Sequence, residues 1–437
     1  DDRYFAEFNF GYNGSENFTP KNRYGFFPSV GLGWVISNES FFEPLTNVIQ
    51  YLKVRGTWGQ VGNSQISGRR FAYLATVTDS SSTSYTFGKN MDQNYGTTAI
   101  DEYAVDVTWE VADKTDIGVD MRLLNNKLNL QFDYFKESRE GIYLRRSSIP
   151  SYVGMINNPY GNIGKVENKG FELSVNYANS WGGDWSLSLM GNYSFNRNKV
   201  LEDDSTVVYP WQNTIGNKVG QRFGLVALGL FESYGEIAAS PVQTGDTRPG
   251  DIKYKDINGD GKIDEYDKVP IGWGSVPEIM YGFGFSLGWK NLSLTAMFQG
   301  AAHVDAMLSG EGVLPFSQGS SRGNLLSNIT DRWTEENPRQ NAFYPRLSIG
   351  NINMNYEEST WWLKDTDYLR LKNIELSYRL PDHWMKRIHL DNARIFIQGV
   401  NLLTFSSFKI WDVELGDGRG ARYPNIASVS LGVNFNF

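Results

Sequence analysis

Cysteine is absent from the 437 residues, and histidine occurs only three times. The first absence excludes disulfides, thiol catalysis and thiolate metal sites, and it fits an exported chain. The histidines, His303, His383 and His389, form no grouping with serine and a carboxylate, so we expect no enzyme. The formal net charge of -8 argues against a nucleic-acid partner.

Long apolar runs are also missing, since no stretch of about 18 apolar residues occurs. This excludes a transmembrane helix. It does not exclude a transmembrane β-barrel, whose strands are apolar only at every second position, and a mean hydropathy of -0.41 is compatible with that architecture. The sequence opens at Asp1 without a methionine, a basic segment or an apolar signal segment, so we expect a mature or cleaved fragment.

What the chain does contain favours β-structure: 45 Gly, 13 Trp, 24 Tyr and 26 Phe. About twelve segments alternate apolar and polar residues, which is typical of strands with one lipid face and one wet face. The segment from Ala427 to Phe437 shows this best. The others are Tyr4–Tyr12, Val30–Ile36, Leu52–Trp58, Ile117–Leu123, Leu128–Tyr134, Phe171–Tyr177, Trp185–Phe195, Ile279–Leu287, Leu292–Phe298, Leu369–Leu380 and Ile395–Phe405. A shift of phase at Lys372-Asn373 predicts a β-bulge.

The connections alternate between short and long along the whole chain. The short ones are Asn38–Gln50, Leu124–Asn126, Ser180–Asp184, Trp289–Asn291 and Pro381–Asp391, of which the first and last resemble short amphipathic helices. The long polar ones are 13–28, 61–111, 138–167, 199–276, 302–365 and 406–426. Outer-membrane barrels have short periplasmic turns and long outer loops, so we predict that all long loops are extracellular. A soluble sandwich or propeller is the alternative, but such folds seldom place their long loops at one end.

Five motifs occur in an order that resembles the SusC/RagA-like family of TonB-dependent outer-membrane transporters. They are residues 27–34 (FPSVGLGW), 52–63 (LKVRGTWGQVGN), 162–172 (NIGKVENKGFE), 249–256 (PGDIKYKD) and 367–373 (DYLRLKN). The resemblance covers essentially the whole chain. It implies an all-β transmembrane antiparallel barrel, of which residues 1–437 would form the C-terminal portion, about 12 of 22 strands.

The same resemblance implies a plug domain and a TonB box, both of which this chain lacks. An open sheet in lipid would leave two unpaired edges, so a second chain or the other part of a nicked parent must supply the remaining strands. The implied partners are that N-terminal half with its plug, TonB, ExbB and ExbD, and a surface lipoprotein of the SusD type. The implied location is the outer membrane of a Gram-negative bacterium.

The predicted function is active import of a nutrient, an oligosaccharide or else a peptide, energised by TonB. Two alternatives stay open. The chain could form a passive twelve-stranded porin, which would require its first and last strands to pair. It could also serve as an interaction scaffold for other outer-membrane proteins.

One motif predicts calcium binding, within the loop 199–276. In the segment 256–267 (DINGDGKIDEYD), oxygen side chains stand at positions 1, 3, 5, 9 and 12, and Gly261 at position 6 allows a sharp turn. The expected ligands are Asp256, Asn258, Asp260, Asp264 and Asp267, together with the backbone carbonyl of Lys262. Aspartate at position 12 and non-helical flanks depart from an EF-hand, and an ion-free acidic turn is the alternative.

Aromatic residues supply two further sets of candidates. Four loop tryptophans could stack on a ligand or contact a partner, or could instead pack within the loops: Trp211, Trp273, Trp361 and Trp362. Phe435 and Phe437 resemble the aromatic C-terminal signal by which outer-membrane barrels are recognised for insertion. Arg370, Lys372 and Glu375 alternate with apolar residues and are expected to line the lumen.

Overall fold

The computed structural model describes residues 2–66, 70–91, 93–316, 325–350, 352–387 and 390–436. Its main element is one antiparallel sheet of twelve strands that follow one another in sequence order. The strands are β1 Tyr4–Gly14, β2 Tyr24–Val35, β3 Ile49–Asn63, β4 Glu110–Leu123, β5 Leu128–Arg145, β6 Tyr160–Trp181, β7 Trp185–Glu202, β8 Ile279–Trp289, β9 Leu292–Ala302, β10 Tyr368–Arg379, β11 Asn392–Ser406 and β12 Ser428–Asn436. Each predicted segment corresponds to one of these strands, so the strand assignment is confirmed.

The register places apolar residues of neighbouring strands on one face. Val433 of β12 lies opposite Ile395 of β11, which lies opposite Tyr378 of β10. Because side chains alternate between faces, the intervening residues of each strand point the other way, and most of these are polar or glycine. The apolar face is the lipid side of a barrel wall and the polar face is its lumen side.

Lys372 forms the predicted bulge in β10. The registers of β10 with both neighbours skip this residue, from Leu371 to Asn373. The extra residue explains the shift of apolar phase in the sequence.

Short and long connections lie at opposite ends of the sheet, as predicted. Leu124, Asn125 and Asn126 all adopt left-handed backbone angles (φ 56°, 59° and 62°) and reverse the chain tightly between β4 and β5. The two longer turns contain a 3-10 helix, Ser40–Leu45, and a short α-helix, Asp382–Arg387. Among the described residues, no helix is long and apolar enough to cross a membrane.

The long connections are shorter than the sequence predicts, because the strands continue into them. The prediction of a loop over 138–167 is wrong at both ends, since β5 runs to Arg145 and β6 begins at Tyr160. Beyond the apolar band both faces of a strand meet water, so the alternation that marks a strand in sequence disappears while the backbone pairing continues.

The sheet is open in the part of the chain that the structure describes. There, β1 pairs only with β2 and β12 only with β11. A porin formed by this chain alone would need β1 and β12 to pair, and the observed arrangement does not contain that pairing. Two unpaired edges in lipid carry a high energetic cost, so the sheet requires further strands.

Three long loops fold together into one compact unit, which we call the loop cap: residues 203–278, the described residues of 303–367 (303–316, 325–350 and 352–367), and 407–427. Its core contains Leu225, Tyr254, Leu308, Tyr344, Trp362 and Phe408, all buried. Isolated β-bridges connect the loops, Leu225 with Ser359 and Leu308 with Gly418. These segments are therefore folded parts of the protein and not merely polar connections.

Candidate functional site

The lumen face of the sheet carries charged side chains that pair across strands. Arg55 of β3 contacts three aspartates of β4 and β5: Nη1 lies 2.9 Å from Oδ1 of Asp116, Nε lies 3.4 Å from Oδ2 of Asp120, and Nη2 contacts Asp133. Gly118 leaves the room for this cluster, since a Cβ atom there would lie 2.4 Å from Asp133 Oδ1 and 2.5 Å from Arg55 Cζ. The barrel wall is therefore polar and acidic at this depth.

A large cavity lies further along the same face, at the end of the sheet with the long loops. Its volume is about 800 Å³, and it lies between β3 to β7 and the loop-cap segment 214–223. Charged side chains of both signs line it, among them Glu110, Glu137 and Arg139, beside aliphatic ones such as Ile142, Leu144 and Val219. A cavity of this size with an apolar wall and a few polar groups is suited to binding a small or elongated ligand.

A glycine bulge gives this cavity two of its apolar side chains. The β5–β6 register shifts between Glu140 and Ile142, and Gly141 adopts the left-handed φ of 68° that glycine tolerates best. Without the extra residue, Ile142 and Leu144 would face outwards like Tyr134. The local sequence SREGIYLR contains the signal for this bulge, an isolated glycine within a strand, which sequence reasoning placed in a loop.

The four candidate tryptophans have different environments. Trp211 stacks on Tyr209 with ring centroids 4.6 Å apart and donates from Nε1 to the carbonyl of Tyr266 at 2.8 Å. Trp361 donates to the carbonyl of Phe343 at 3.2 Å. Both rings therefore take part in packing within the loop cap.

Trp362 is a correction to the expected ligand contacts. It is 1% exposed and donates from Nε1 to the carbonyl of Asn355 at 2.7 Å, so it belongs to the loop-cap core. Trp273, in contrast, is 42% exposed and stacks on His303 with ring centroids 4.0 Å apart. Of the four tryptophans, Trp273 presents the most exposed ring for a ligand or partner.

Arg370 is also unavailable to a solute in the lumen. Its side chain is 3% exposed, with Nη2 2.7 Å from Oδ1 of Asp412 and Nη1 2.6 Å from Oε2 of Glu414. The second predicted lumen residue, Glu375, pairs with Arg394 at 2.7 Å on the lumen face. Arg370 therefore fastens β10 to the last loop, and this correction follows from contacts that are distant in sequence.

The carboxylates of the segment 256–267 bind the segment's own backbone. Asp256 accepts hydrogen bonds from the N–H groups of Gly259 (2.7 Å) and Gly261 (2.9 Å). Asp267 is fully buried and accepts from Ile257 and Asp264, at 2.7 and 2.9 Å, which closes the loop. The segment 256–267 is flanked by the short strands Ile252–Tyr254 and Val269–Ile271, so the expectation of non-helical flanks is confirmed.

The remaining polar side chains in the first half of the segment also hydrogen-bond within it. Asn258 and Asp260 also turn inwards, since Asn258 Nδ2 donates to Asp260 Oδ2 at 3.1 Å and Asp260 Oδ1 accepts from Lys262 N at 2.9 Å. Within the described ranges, no three His, Asp or Glu side chains are grouped to hold a metal ion. Calcium binding stays a prediction.

Strand β12 has the alternation expected of a barrel wall. Val429, Leu431, Val433 and Phe435 share the lipid face, and Phe435 is 54% exposed. Phe437 lies outside the described residues. The role of these two rings in barrel insertion stays a prediction.

Comparisons with known proteins agree with this architecture. The family model "TonB dependent receptor-like, beta-barrel" matches residues 2–402. TonB-dependent receptor P3 of Formosa agariphila is 28% identical over 463 residues, covering 100% of this chain and 44% of the relative. TonB-dependent receptor SusC of Bacteroides thetaiotaomicron is 27% identical over 453 residues, covering 100% of this chain and 42% of the relative.

A solved structure of the RagAB peptide transporter has the same fold, with a TM-score of 0.76 at 22% identity, over 100% of this chain and 46% of the other. The chain spans less than half the length of these relatives, which agrees with an open twelve-stranded sheet. The relatives are receptors and not enzymes, as the sequence predicts. The chain therefore belongs to the TonB-dependent receptor-like β-barrel family, whose members reside in the outer membrane.

Proposed function

We propose that this chain is the C-terminal part of a SusC-type barrel that imports a nutrient, an oligosaccharide or a peptide, with energy from TonB. The observation that carries the proposal is the open twelve-stranded sheet with a polar lumen face and a folded cap of long loops. The missing strands and the plug would come from the N-terminal part of the same transporter. TonB, ExbB and ExbD would act on that part.

The lining of the large cavity supports a peptide over an oligosaccharide. Sugar sites commonly use aromatic faces for stacking, whereas Phe223 provides the single ring among the described lining residues. The rest of the lining combines charges of both signs with aliphatic side chains. This combination suits a chain with charged groups and apolar side chains, as in a mixed peptide.

A surface lipoprotein of the SusD type is the proposed partner at the loop end. Large apolar side chains are exposed there, including Tyr152 at 88% and Tyr423 at 82%. Exposed apolar surface on loops is typical of interaction sites. The side chain of Val276, 74% exposed, is a further exposed apolar residue in the long loops.

Uptake measurements with the whole transporter test the proposal. Cells carrying the wild-type, a plug-deleted or a TonB-deficient system would receive labelled oligopeptides and, separately, labelled oligosaccharides. We expect uptake of one class by the wild type and loss of that uptake without TonB. Uptake that does not depend on energy would contradict the proposal, and uptake of neither class would favour the scaffold alternative.

A further inference from the structure

Three cationic side chains form a row across neighbouring strands on the lipid side of the wall. Lys136 of β5 lies opposite Lys169 of β6, and Lys169 lies opposite Arg197 of β7. We call these three residues the basic row. The register has no bulge at these positions, so all three side chains point to the same face.

An aromatic row lies directly beside the basic row, towards the apolar band. Tyr134, Phe171 and Phe195 are paired across the same three strands, each two residues from a member of the basic row. Arg197 places its guanidinium 5.5 Å from the centre of the Phe195 ring, which confirms that both side chains share a face. The basic row therefore begins where the apolar surface ends.

This position matches the depth of lipid headgroups. Phe171 and Trp181 mark the two ends of the apolar face of β6. Ten residues at about 3.3 Å each span about 33 Å along the strand, and a tilt of about 40° reduces this to a height of about 25 Å. That is the height of a barrel's apolar band, so the basic row lies at the outer headgroup layer.

Folding alone does not account for three adjacent cations. Like charges directly opposite one another destabilise a sheet. The side chains are 51%, 58% and 49% exposed, for Lys136, Lys169 and Arg197, so they are not required for packing. An external anion would remove the repulsion.

The protein's own carboxylates neutralise the row only in part. Glu167 lies 2.8 Å from Lys136 Nζ and 3.5 Å from Lys169 Nζ, and Glu278 lies 2.7 Å from Arg197. Lys199 lies opposite Glu167 on the same face, so four cations share two carboxylates.

Other nearby charges reduce this excess to one positive charge. Lys165 and Glu140 neutralise each other at 2.6 Å. Glu202, opposite Lys165, adds one negative charge. Lys218, 3.5 Å from Glu278, adds one positive charge. His303 Nδ1 also contacts Glu278, at 3.2 Å. Asp113 of β4 lies opposite Ser138 on the same face and adds one negative charge, so with neutral histidine one positive charge remains.

We propose that the basic row binds phosphate-bearing lipid headgroups of the adjacent outer leaflet. Lysine and arginine bind phosphate through charge-assisted hydrogen bonds, and basic clusters at a membrane surface attract anionic lipid. By the strand register the row lies on the lipid side of the wall, and the Arg197 guanidinium also lies 5.9 Å from the centre of the Trp273 ring. The aromatic row beside it lies at the membrane–water interface, where aromatic side chains anchor a barrel wall.

Lipid retention by the whole purified transporter tests this. The probes are lipid A, dephosphorylated lipid A and inorganic phosphate, with binding measured by native mass spectrometry after extraction into mild detergent. The test variant is the triple substitution Lys136→Gln, Lys169→Gln and Arg197→Gln. The matched control removes three exposed charges at the opposite end of the sheet: Lys127→Gln, Lys290→Gln and Arg379→Gln.

We expect the triple variant to retain at least about tenfold less lipid A than the wild type, and the control to retain as much as the wild type. Dephosphorylated lipid A should bind equally weakly to all three proteins. Equal retention of lipid A by the test variant would overturn the proposal, as would binding of inorganic phosphate without preference for lipid A. Heat-dependent migration on SDS gels checks folding, and the single variant Lys169→Gln, for which we expect a smaller loss, serves if the triple variant does not assemble.

Discussion

The guanidinium of Arg346 holds the carboxylate of Asp251 through two parallel hydrogen bonds, Nε to Oδ1 and Nη2 to Oδ2, both of 2.9 Å. The two residues come from different long loops. Asn353 and Asn355 also donate to Oδ1 of Asp251, at 3.1 and 2.8 Å, so that this buried carboxylate is fully satisfied. The pair fastens the two largest segments of the loop cap to each other.

Asp251→Ala should destabilise the loop cap, because it leaves a largely buried guanidinium and two amides without their acceptor. Breaking a buried pair in this way costs about 3–5 kcal/mol. Limited proteolysis of the whole transporter should show faster cleavage within residues 203–278, while the barrel keeps its heat-dependent migration. Asp246→Ala is the control, since its exposed pair with Arg248 contributes little. Equal cleavage of both variants would contradict a structural role for Asp251.

Alkaline pH should loosen the same loop cap. Burial raises the pKa of Tyr356 to about 12 and raises the pKa of Tyr254 as well. Above pH 10 the unfolded cap would lose these protons before the folded one does, so stability falls as the pH rises from about 10 to about 12. Tyr356→Phe should reduce this loss, as measured by hydrogen exchange or proteolysis across that range. Tyr152→Phe, at an exposed ring, is the control, and an identical pH profile for both variants would refute the assignment.

The calcium prediction concerns the segment 256–267. If the loop binds calcium, the double variant Asp256→Ala and Asp260→Ala should lower the protease resistance of residues 199–276 in calcium while leaving barrel assembly intact. The control is Glu335→Ala with Glu336→Ala, which removes two exposed loop carboxylates. If wild type and double variant are cleaved equally, with and without chelator, the segment is an acidic turn that binds no ion.

Gly141→Ala should impair uptake more than assembly. The left-handed backbone at this position disfavours a Cβ atom by about 1–2 kcal/mol, and the added atom would lie 3.3 Å from the carbonyl oxygen of Trp109. Relief of that strain would shift Ile142 and Leu144 out of the cavity. Uptake is compared at equal surface levels with Gly161→Ala, where an added Cβ meets only ordinary contacts. Unchanged uptake would show that this cavity does not take part in transport.

Phe435→Ala should reduce the amount of assembled barrel, because it removes a large ring from the lipid face of β12. The fraction of protein that resists unfolding by SDS before heating measures assembly. Asn434→Ala, on the lumen face of the same strand, is the control. Normal assembly of Phe435→Ala would argue against an insertion role for this ring, and removal of Phe437 offers a second test.

The strand positions were predictable because the information is local. A strand in a barrel wall alternates every second residue between lipid and lumen, so Ile395 and Ile397 or Val433 and Phe435 reveal their common face within a few residues. The bulge at Lys372 was predictable for the same reason, as a single break in that period. The short turns followed from local sequences such as Leu124-Asn125-Asn126.

The loop cap was not predictable in this way. Trp362 lies in its core, and Arg370 is buried in ion pairs with Asp412 and Glu414. The sequence next to each of these two residues gives no sign that the side chain is buried. Of the two alternatives left open for Trp362, ligand contact and packing within the loops, the structure shows packing. The cavity was missed because its walls come from five strands and a loop segment that are far apart in the chain.

The sequence by itself determined the barrel wall, its lipid face and the end at which the long loops lie, because these depend on a period of two and on the order of short and long connections. The tertiary structure decided which charges meet. Lys136, Lys169 and Arg197 are separated by many residues in the chain, and only the register of three long strands aligns them beside one aromatic row. Pairing across strands depends on the fold of whole segments, so no local pattern in the sequence reveals it.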